Sequence, residues 1–341
     1  MHPALKKYDD FKIASRDLSD VAGFTLSALV HNEMHFLPRF LDHYRQLGVQ
    51  RFIFVDDRST DGSAAFLGAQ EDVMVLKSNR KYGDVIDADD AAALGLPHRR
   101  MELVWRMLLV EKYALGDWSL HLDADEFLDL PDGMRVGDFA AKLGQEDGSA
   151  VMAAMIDMYP ATVSDLDDMA DDPVIDLDKP WYFDGEVHLR LRKRKAPKTI
   201  HPGSRARLMA KHNLNHKANW FEIQLRALLG QTAPRYNAIR KPVLLRGREG
   251  LRFDSAHAVN LPISIRYLLP LRHYKFNGPI HKRIRRASTT GGNTGGGAEY
   301  KHLKELLAAM SGNDEDFRYE KSLQYRGFED FRRTGNAVGF E

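Results

Sequence analysis

Three carboxylates interrupt an apolar, strand-like segment: Asp123, Asp125 and Glu126 lie between Leu122 and Phe127. In extended backbone, side chains two residues apart point to the same face, so Asp123 and Asp125 are predicted to present converging carboxylates. Two like charges held so close repel each other unless a cation lies between them. A hard divalent ion with phosphate oxygens as further ligands satisfies this arrangement. We therefore expect a metal-diphosphate site, with an acidic loop at a strand end as the plainer alternative.

The elements that position these carboxylates begin with strand, helix and strand. Residues 24–30 are apolar and β-prone, residues 36–47 carry apolar side chains at helical spacing, and residues 51–55 form a buried-looking strand. This order is typical of a parallel α/β sheet. The second strand runs directly into Asp56 and Asp57. Because ligands bind beyond the carboxyl ends of strands in such sheets, both acidic strand ends are expected to line one site.

The composition places only broad limits on the class of protein. The chain has 341 residues, of which 43% are hydrophobic, so it can bury a sizeable core. The formal net charge of +1 gives no general argument for nucleic acid. There are no cysteines, which excludes disulfides and thiolate chemistry and suits a cytoplasmic protein. No stretch is apolar and long enough to predict a signal peptide or a membrane span.

Further elements follow from the pattern of apolar residues and of glycine and proline. The predicted elements are a strand at 73–76, a loop at 78–90, a helix from Pro97 to Gly116, strands from Trp118 and at 150–156, an apolar stretch at 260–271, and a helix at 299–310. Residues 289–297 are rich in glycine and are predicted to be a linker or a lid.

Three motifs in the first half resemble glycosyltransferases of the GT-A fold, close to family 2 and its bacterial branch with a DxDE motif. They are Leu29–Glu33, Val55–Gly62 and Leu122–Phe127; weaker echoes are Gly203–Arg207, Lys241–Leu244, His273–Lys275 and Glu299-Tyr300. Arg58 departs from the family pattern, which often has glycine there.

The resemblance implies an α/β, Rossmann-like and mostly parallel sheet flanked by helices, with a C-terminal extension on the acceptor side. The implied organisation is an N-terminal extension (1–23), a nucleotide-sugar-binding half (24–150), an acceptor-binding half (151–288) and a C-terminal part with a flexible loop and helices (289–341).

The implied activity is a metal-dependent, inverting transfer of a sugar from a nucleotide donor, expected to be UDP-linked, in polysaccharide biosynthesis. Implied partners are that donor and a glycan or lipid-linked acceptor, without nucleic acid and with peripheral membrane association left open. The implied cofactor is Mn²⁺ or Mg²⁺.

The metal motif assigns Asp125 as the direct ligand, Asp123 to the ribose and the metal shell, and Glu126 to a supporting position. Enzymes of this fold often take a third ligand from a histidine near the C-terminal end, which points to His273, with His257 as the rival. Lys275 shares a face with His273 if this run is a strand, and could contact a phosphate.

The first motifs supply the nucleotide site. Asp57 is expected to hydrogen-bond the base or ribose, beside His31, Asn32 and Arg58. Glu33 is either a donor-binding residue or a carboxylate in the first turn of the following helix. Asp61 is expected to cap a helix.

Other donor and acceptor contacts are less defined. Asp184 and Glu186, flanked by aromatic residues, are candidates for the general base, unless they are simply solvated acids. Arg205 and Arg207 share a face if their segment is extended, and could bind phosphate or an acidic acceptor.

Two other functions stay open. A nucleotidyltransferase uses a similar sheet and acidic metal site, but usually needs a glycine-rich phosphate loop after the first strand, which His31-Asn32-Glu33 does not provide. A non-catalytic module could instead bind anionic glycans or nucleic acid through the basic segment 188–217.

Overall fold

The computed structural model describes residues 1–193, 195–214, 239–280, 298–312 and 314–340. The glycine-rich segment 289–297 lies outside the described residues, as does part of the basic segment 188–217.

The strands confirm most of the predicted β segments. They are β1 (Lys12–Ile13), β2 (Thr25–Val30), β3 (Arg51–Asp56), β4 (Val73–Lys77), β5 (Trp118–Leu122), β6 (Glu126–Leu128), β7 (Ala150–Asp157), β8 (Tyr182–Asp184), β9 (Leu189–Arg192), β10 (Lys195–Thr199), β11 (Arg240–Arg246), β12 (Phe253–Ser255), β13 (Ala258–Val259), β14 (Ile263–His273) and β15 (Ser322–Gln324).

The helices are α1 (Pro3–Lys6), α2 (Leu37–Gln46), α3 (Ser63–Gly68), α4 (Ala88–Ala93), α5 (Met101–Tyr113), α6 (Val136–Ala141), α7 (Val163–Asp168), α8 (Ser204–Lys211), α9 (Ala298–Ser311) and α10 (Phe328–Arg333). Helix α5 begins four residues after the predicted start at Pro97, and α4 lies partly within the predicted loop at 78–90. Neither difference changes which strands the helices connect.

Within the described residues, nine strands form the main sheet in the order β1-β4-β3-β2-β5-β11-β7-β14-β6. Strands β4, β3, β2 and β5 are mutually parallel, β11 is antiparallel to both of its neighbours, and β14 is parallel to β7. Six of the nine strands therefore run in one direction. This topology confirms the predicted fold class, a Rossmann-like and mostly parallel α/β sheet flanked by helices.

Both faces of the sheet are buried, as expected for a parallel sheet covered by helices. In β3, Phe52 and Phe54 join a core that includes α2, whereas Ile53 and Val55 join a second core that includes α5. Helix α5 is apolar around most of its circumference because it is buried between the sheet and surrounding segments. Among the described residues, no helix has the length and apolarity to cross a bilayer.

Candidate metal and nucleotide site

The first site feature is the end of β14, which lies between two acidic strand ends. His273 is level with Asp157 at the end of the parallel strand β7 and with Glu126 at the start of the antiparallel strand β6. The backbone N–H of Tyr274 donates to the carbonyl of Asp125, which holds the acidic turn against the end of β14. The sheet topology thus brings His273 beside the carboxylates of the acidic motif, although about 150 residues separate them in the chain.

His273 is oriented by Asp157. Its Nδ1–H donates to Oδ1 of Asp157 at 2.7 Å, and Nε2 lies 3.8 Å from Oδ2 of Asp125. Arg205 donates to the other oxygen of Asp157 at 2.8 Å. Burial raises the pKa of Asp157, but Arg205 and His273 outweigh burial and hold that pKa well below its usual range. The ionised Asp157 therefore keeps Nδ1 protonated, and in neutral His273 the lone pair of Nε2 faces Asp125.

An imidazole lone pair and a carboxylate oxygen at this separation form a donor set for a divalent cation. No group of three or more acidic or histidine side chains suitable for a metal ion occurs among the described residues. Mg²⁺ sites commonly use one or two protein carboxylates together with substrate phosphates and water. Asp125 and His273 fit such an ion, and Asp157 provides the supporting carboxylate that metal-binding histidines usually have.

The backbone conformation and the ion-pair partners of Asp123 differ from those predicted. The chain turns at residues 123–126, where the N–H of Glu126 donates to the carbonyl of Asp123, so the segment is not extended and the two aspartates do not follow strand parity. Asp123 instead pairs with Arg106 at 2.8 Å and with Lys241 at 2.6 Å. The prediction that Asp123 and Asp125 converge as neighbours on one strand face is therefore wrong in its backbone premise, because a turn replaces the strand.

Lys241 joins Asp123 to Glu126. Its Nζ lies 2.6 Å from a carboxylate oxygen of each, and the Glu126 carboxylate also accepts the N–H of Asp123 at 2.8 Å. Burial raises the pKa of Asp123, but Lys241 and Arg106 more than offset this and lower it. Burial, helped by Asp123 and Asp125, raises the pKa of Glu126 to about 7 although Lys241 opposes this. The lowered pKa keeps Asp123 ionised, and 37% of its side chain is accessible.

Tyr82 links this cluster to the first acidic strand end. Its backbone N–H donates to Oδ2 of Asp57 at 3.2 Å, while its phenol lies among Glu102, Arg106 and Asp123. Burial raises the pKa of the Tyr82 phenol, which therefore stays protonated. Burial also raises the pKa of Asp57. The predicted proximity of the two acidic strand ends is thus supported by one residue, Tyr82, whose backbone contacts Asp57 and whose phenol lies near Asp123.

The backbone between β2 and α3 is held in an unusual conformation. Asn32 and Arg58 have positive φ angles of 57° and 61°, a region that costs non-glycine residues free energy. The side chain of Asn32 accepts the N–H of Thr60 at 2.6 Å, and its own N–H donates to Ser59 at 2.9 Å. His31 donates through Nδ1 to the carbonyl of Asp57. Arg58 thus adopts the left-handed conformation at the position where the resembling family often has glycine.

Two interpretations for this region are settled by the helix boundaries. Helix α2 begins at Leu37 and has no acidic residue in its first turn, so Glu33 is not a first-turn carboxylate. Its N–H donates to Ser63, and its donor-binding role stays a prediction. Asp61 accepts the N–H groups of Ser63 and Met34 at 3.0 Å each, but the N-cap of α3 is Gly62, so Asp61 lies one residue before the predicted capping position.

The predicted arginine pair lies on helix α8 and not on an extended run. Residues two positions apart on a helix do not share a face. Arg205 accordingly faces Asp157, whereas Arg207 donates to both oxygens of Asp184 at 2.8 and 3.0 Å. Both arginines have carboxylate partners inside the protein, and the predicted shared face is wrong; binding of phosphate or of an acidic acceptor stays a prediction.

The two candidates for the general base differ in exposure. The side chain of Asp184 is 0% exposed and also accepts a hydrogen bond from Tyr159 at 2.7 Å, which disfavours contact with an acceptor; its catalytic role stays a prediction. Glu186 is 29% exposed and contacts His201, Tyr319 and Lys321 at 3.1, 2.7 and 2.7 Å. Hydrogen bonds from Lys321 and Tyr319 lower the pKa of Glu186, which keeps it ionised.

His257 and Lys275 are the other candidates for the site near the C-terminal end. His257 donates to the carbonyl of Arg240, and burial lowers its pKa to about 4, whereas His273 is the histidine beside Asp125. Lys275 lies two residues after the end of β14, so it does not share a strand face with His273. A phosphate contact by Lys275 remains a prediction.

The sequence analysis assigned no role to Arg106, Asp157 or Tyr82, and it noted Lys241 only as part of a weak motif. All except Tyr82 carried a signal in the sequence. Arg106 interrupts an apolar helix, Lys241 precedes an apolar strand, and Asp157 ends the apolar strand β7 in the same way that Asp56 ends β3. Tyr82, in a polar segment, carried none.

Comparisons with known proteins add little to this geometry. No protein family profile and no curated protein matches the chain. Among solved structures, 21 chains resemble it. One is the mannosyltransferase PcManGT from Pyrobaculum calidifontis in complex with GDP-Man and Mn²⁺, with 13% identity over 97% of this chain and 73% of that one and a TM-score of 0.29. Structural similarity at a TM-score of 0.29 does not support a functional assignment.

Proposed function

We propose that the protein is a metal-dependent glycosyltransferase that transfers a sugar from a nucleoside-diphosphate sugar, expected to be a UDP-sugar, to a glycan or lipid-linked acceptor. The observation that carries the proposal is the pair Asp125 and His273 at the ends of the sheet, with His273 oriented by Asp157. Mn²⁺ or Mg²⁺ bound there would stabilise the charge that develops on the departing diphosphate.

The surrounding residues have separate tasks in this proposal. Arg106 and Lys241 hold the charged Asp123 in place, so that its exposed side can accept hydrogen bonds from the donor's ribose. Tyr82 keeps Asp57 beside that cluster, where Asp57 can contact the base or ribose. Each of these side chains is positioned by a buried partner, which suits a site that must be organised before substrate binds.

Glu186 is the proposed general base for the acceptor hydroxyl. Its carboxylate is ionised and partly accessible, and His201 points Nε2 toward it because His201 Nδ1 accepts the N–H of Gly203. A base must reach the proton that it removes, which the buried position of Asp184 disfavours.

The test uses Asp125→Asn, with Asp132→Asn as the matched control because Asp132 is an exposed aspartate a short distance along the chain. Thermal shifts would be recorded with Mn²⁺ and a panel of nucleotide sugars, followed by release of nucleoside diphosphate. We expect wild type and Asp132→Asn to be stabilised by a metal-donor combination, since a ligand that binds only the native state raises the melting temperature. Asp125→Asn should fold and lose this response.

Full activity in a folded Asp125→Asn variant would overturn the metal assignment. A response to nucleotide sugars other than UDP-sugars would correct the donor and leave the class of reaction intact. Absence of any metal-dependent nucleotide response in the wild-type protein would overturn the proposal itself.

A further inference from the structure

The hairpin of β9 and β10 carries four cationic side chains on one face. Arg190 is directly opposite Lys198, and Arg192 is directly opposite Lys195. All four are exposed, while Leu189 and Pro197 on the same two strands are buried. The hairpin therefore packs one face on the protein and presents a basic face, defined by these four residues, to solvent.

This pairing is unfavourable for the hairpin alone. Like charges directly opposite each other on antiparallel strands are destabilising. Within the described part of the chain, no ion pair links the basic face to a carboxylate; Arg192 donates only to the carbonyl of Ala196 in the same hairpin. Two repulsive pairs with no counter-charge among the described residues favour an external anion as the compensating partner.

We propose that the basic face docks on an anionic lipid surface. The face is a two-stranded ribbon whose register shifts between Lys195 and Lys198, and its four exposed cations form the size of basic cluster that anionic headgroups attract. Val187 and Ile200, at the base of the hairpin, are 38% and 43% exposed and can enter the interface as apolar contacts. Because the whole chain carries a formal net charge of only +1, attraction is local and would orient the protein.

A single-stranded nucleic acid fits the same face less well. Such ligands are usually bound by aromatic rings that stack on bases, and residues 187–201 contain no Phe, Tyr or Trp. The docking proposal is independent of the glycosyltransferase proposal, because vesicle binding is measured without donor, metal or turnover.

The experiment is cosedimentation of the full chain with vesicles of phosphatidylcholine, alone or with about 30% phosphatidylserine. The test variant combines Arg190→Glu with Arg192→Glu, and the control combines Lys301→Glu with Lys304→Glu on the exposed side of α9, which changes net charge equally. We expect wild type and control to bind the anionic vesicles only, and about 0.5 M NaCl to release them. The test variant should bind at least about tenfold more weakly.

The test variant also carries its own folding control. Its cross-strand pairs become Glu opposite Lys, which is attractive, so its melting temperature should equal or exceed that of wild type. The proposal is overturned if wild type does not bind anionic vesicles, or if the test variant binds as well as wild type. It is also overturned if a random-sequence oligonucleotide, and not the vesicles, is the ligand that the test variant loses.

Discussion

Nε2 of His273 and Oδ2 of Asp125 lie 3.8 Å apart, and Asp157 fixes the orientation of the imidazole from its other side. Two groups that both accept a proton or a metal ion thus face each other at the carboxyl ends of the central strands. This arrangement, more than the acidic motif alone, is what favours a cation site.

Asp157→Asn tests the role of Asp157 in orienting His273. We expect Mn²⁺ affinity to fall about 10- to 100-fold, because removal of a carboxylate behind a metal-binding histidine has effects of that size. The free energy of unfolding should also fall by about 3–5 kcal/mol, since Arg205 loses its buried counter-charge. Titration calorimetry and urea denaturation measure the two effects. Asp168→Asn, on the exposed side of α7, is the control, and unchanged Mn²⁺ binding in Asp157→Asn would remove His273 from the ligand set.

Lys241→Met tests the buried charge cluster. Because Lys241 is buried between Asp123 and Glu126, its loss should lower the free energy of unfolding by about 3–5 kcal/mol. Adding Glu126→Gln should recover part of this, since Glu126 loses its buried cation while Asp123 keeps its ion pair with Arg106. A double-mutant cycle in urea gives the coupling energy, expected at about 0.5–3 kcal/mol. Additive effects would show that Lys241 and Glu126 do not interact as described.

His121 should make stability depend on pH. It is buried between Ser27 and Ser119, and burial, with Arg106 and Lys241 adding, lowers its pKa to about 3. The unfolded chain binds a proton near the ordinary pKa of 6.5, whereas the folded chain does not until near 3. The contribution of neutral His121 to the free energy of unfolding is therefore fully present above pH 6.5. It is lost as the pH falls from 6.5 toward 3, by about 2 kcal/mol between pH 7 and 5.

The measurement is the difference between wild type and His121→Asn in urea denaturation at both pH values. The variant should lose less free energy of unfolding on acidification than wild type. Equal losses in the two proteins would show that His121 is protonated in the folded state.

Glu186→Gln and Asp184→Asn should separate catalysis from stability. Glu186→Gln is expected to lower kcat about 100-fold or more, the usual contribution of a general base, with little change in the free energy of unfolding because its ion pair is accessible. Asp184→Asn should mainly destabilise the protein, by about 3 kcal/mol, because Arg207 is left without its buried partner. Steady-state kinetics and urea denaturation measure both effects. An unchanged kcat in Glu186→Gln would exclude it as the base.

Several elements could be read directly from the chain. The strands that end in Asp56 and near Asp123, and helix α2 between the first two strands, follow from periodicity and from glycine and proline signals, which act over a few residues. The local sequence also favours a helix at Arg205 and Arg207. The segment Ser204–Lys211 is rich in Ala, Leu, Met and Arg, which favour helix, but the assumption of an extended run placed two arginines on one face.

The sequence by itself determined the fold class and the two acidic strand ends, because these depend on local pattern and on a small set of sheet topologies. Only the tertiary structure decided which partners those carboxylates have. The pairing of β14 with β7 and β6 brings His273 and Asp157 to Asp125, and the pairing of β11 with β5 and β7 brings Lys241 to Asp123 and Glu126. These strand pairings join residues more than 80 positions apart, and their register comes from packing of the whole sheet, which no short stretch of sequence records.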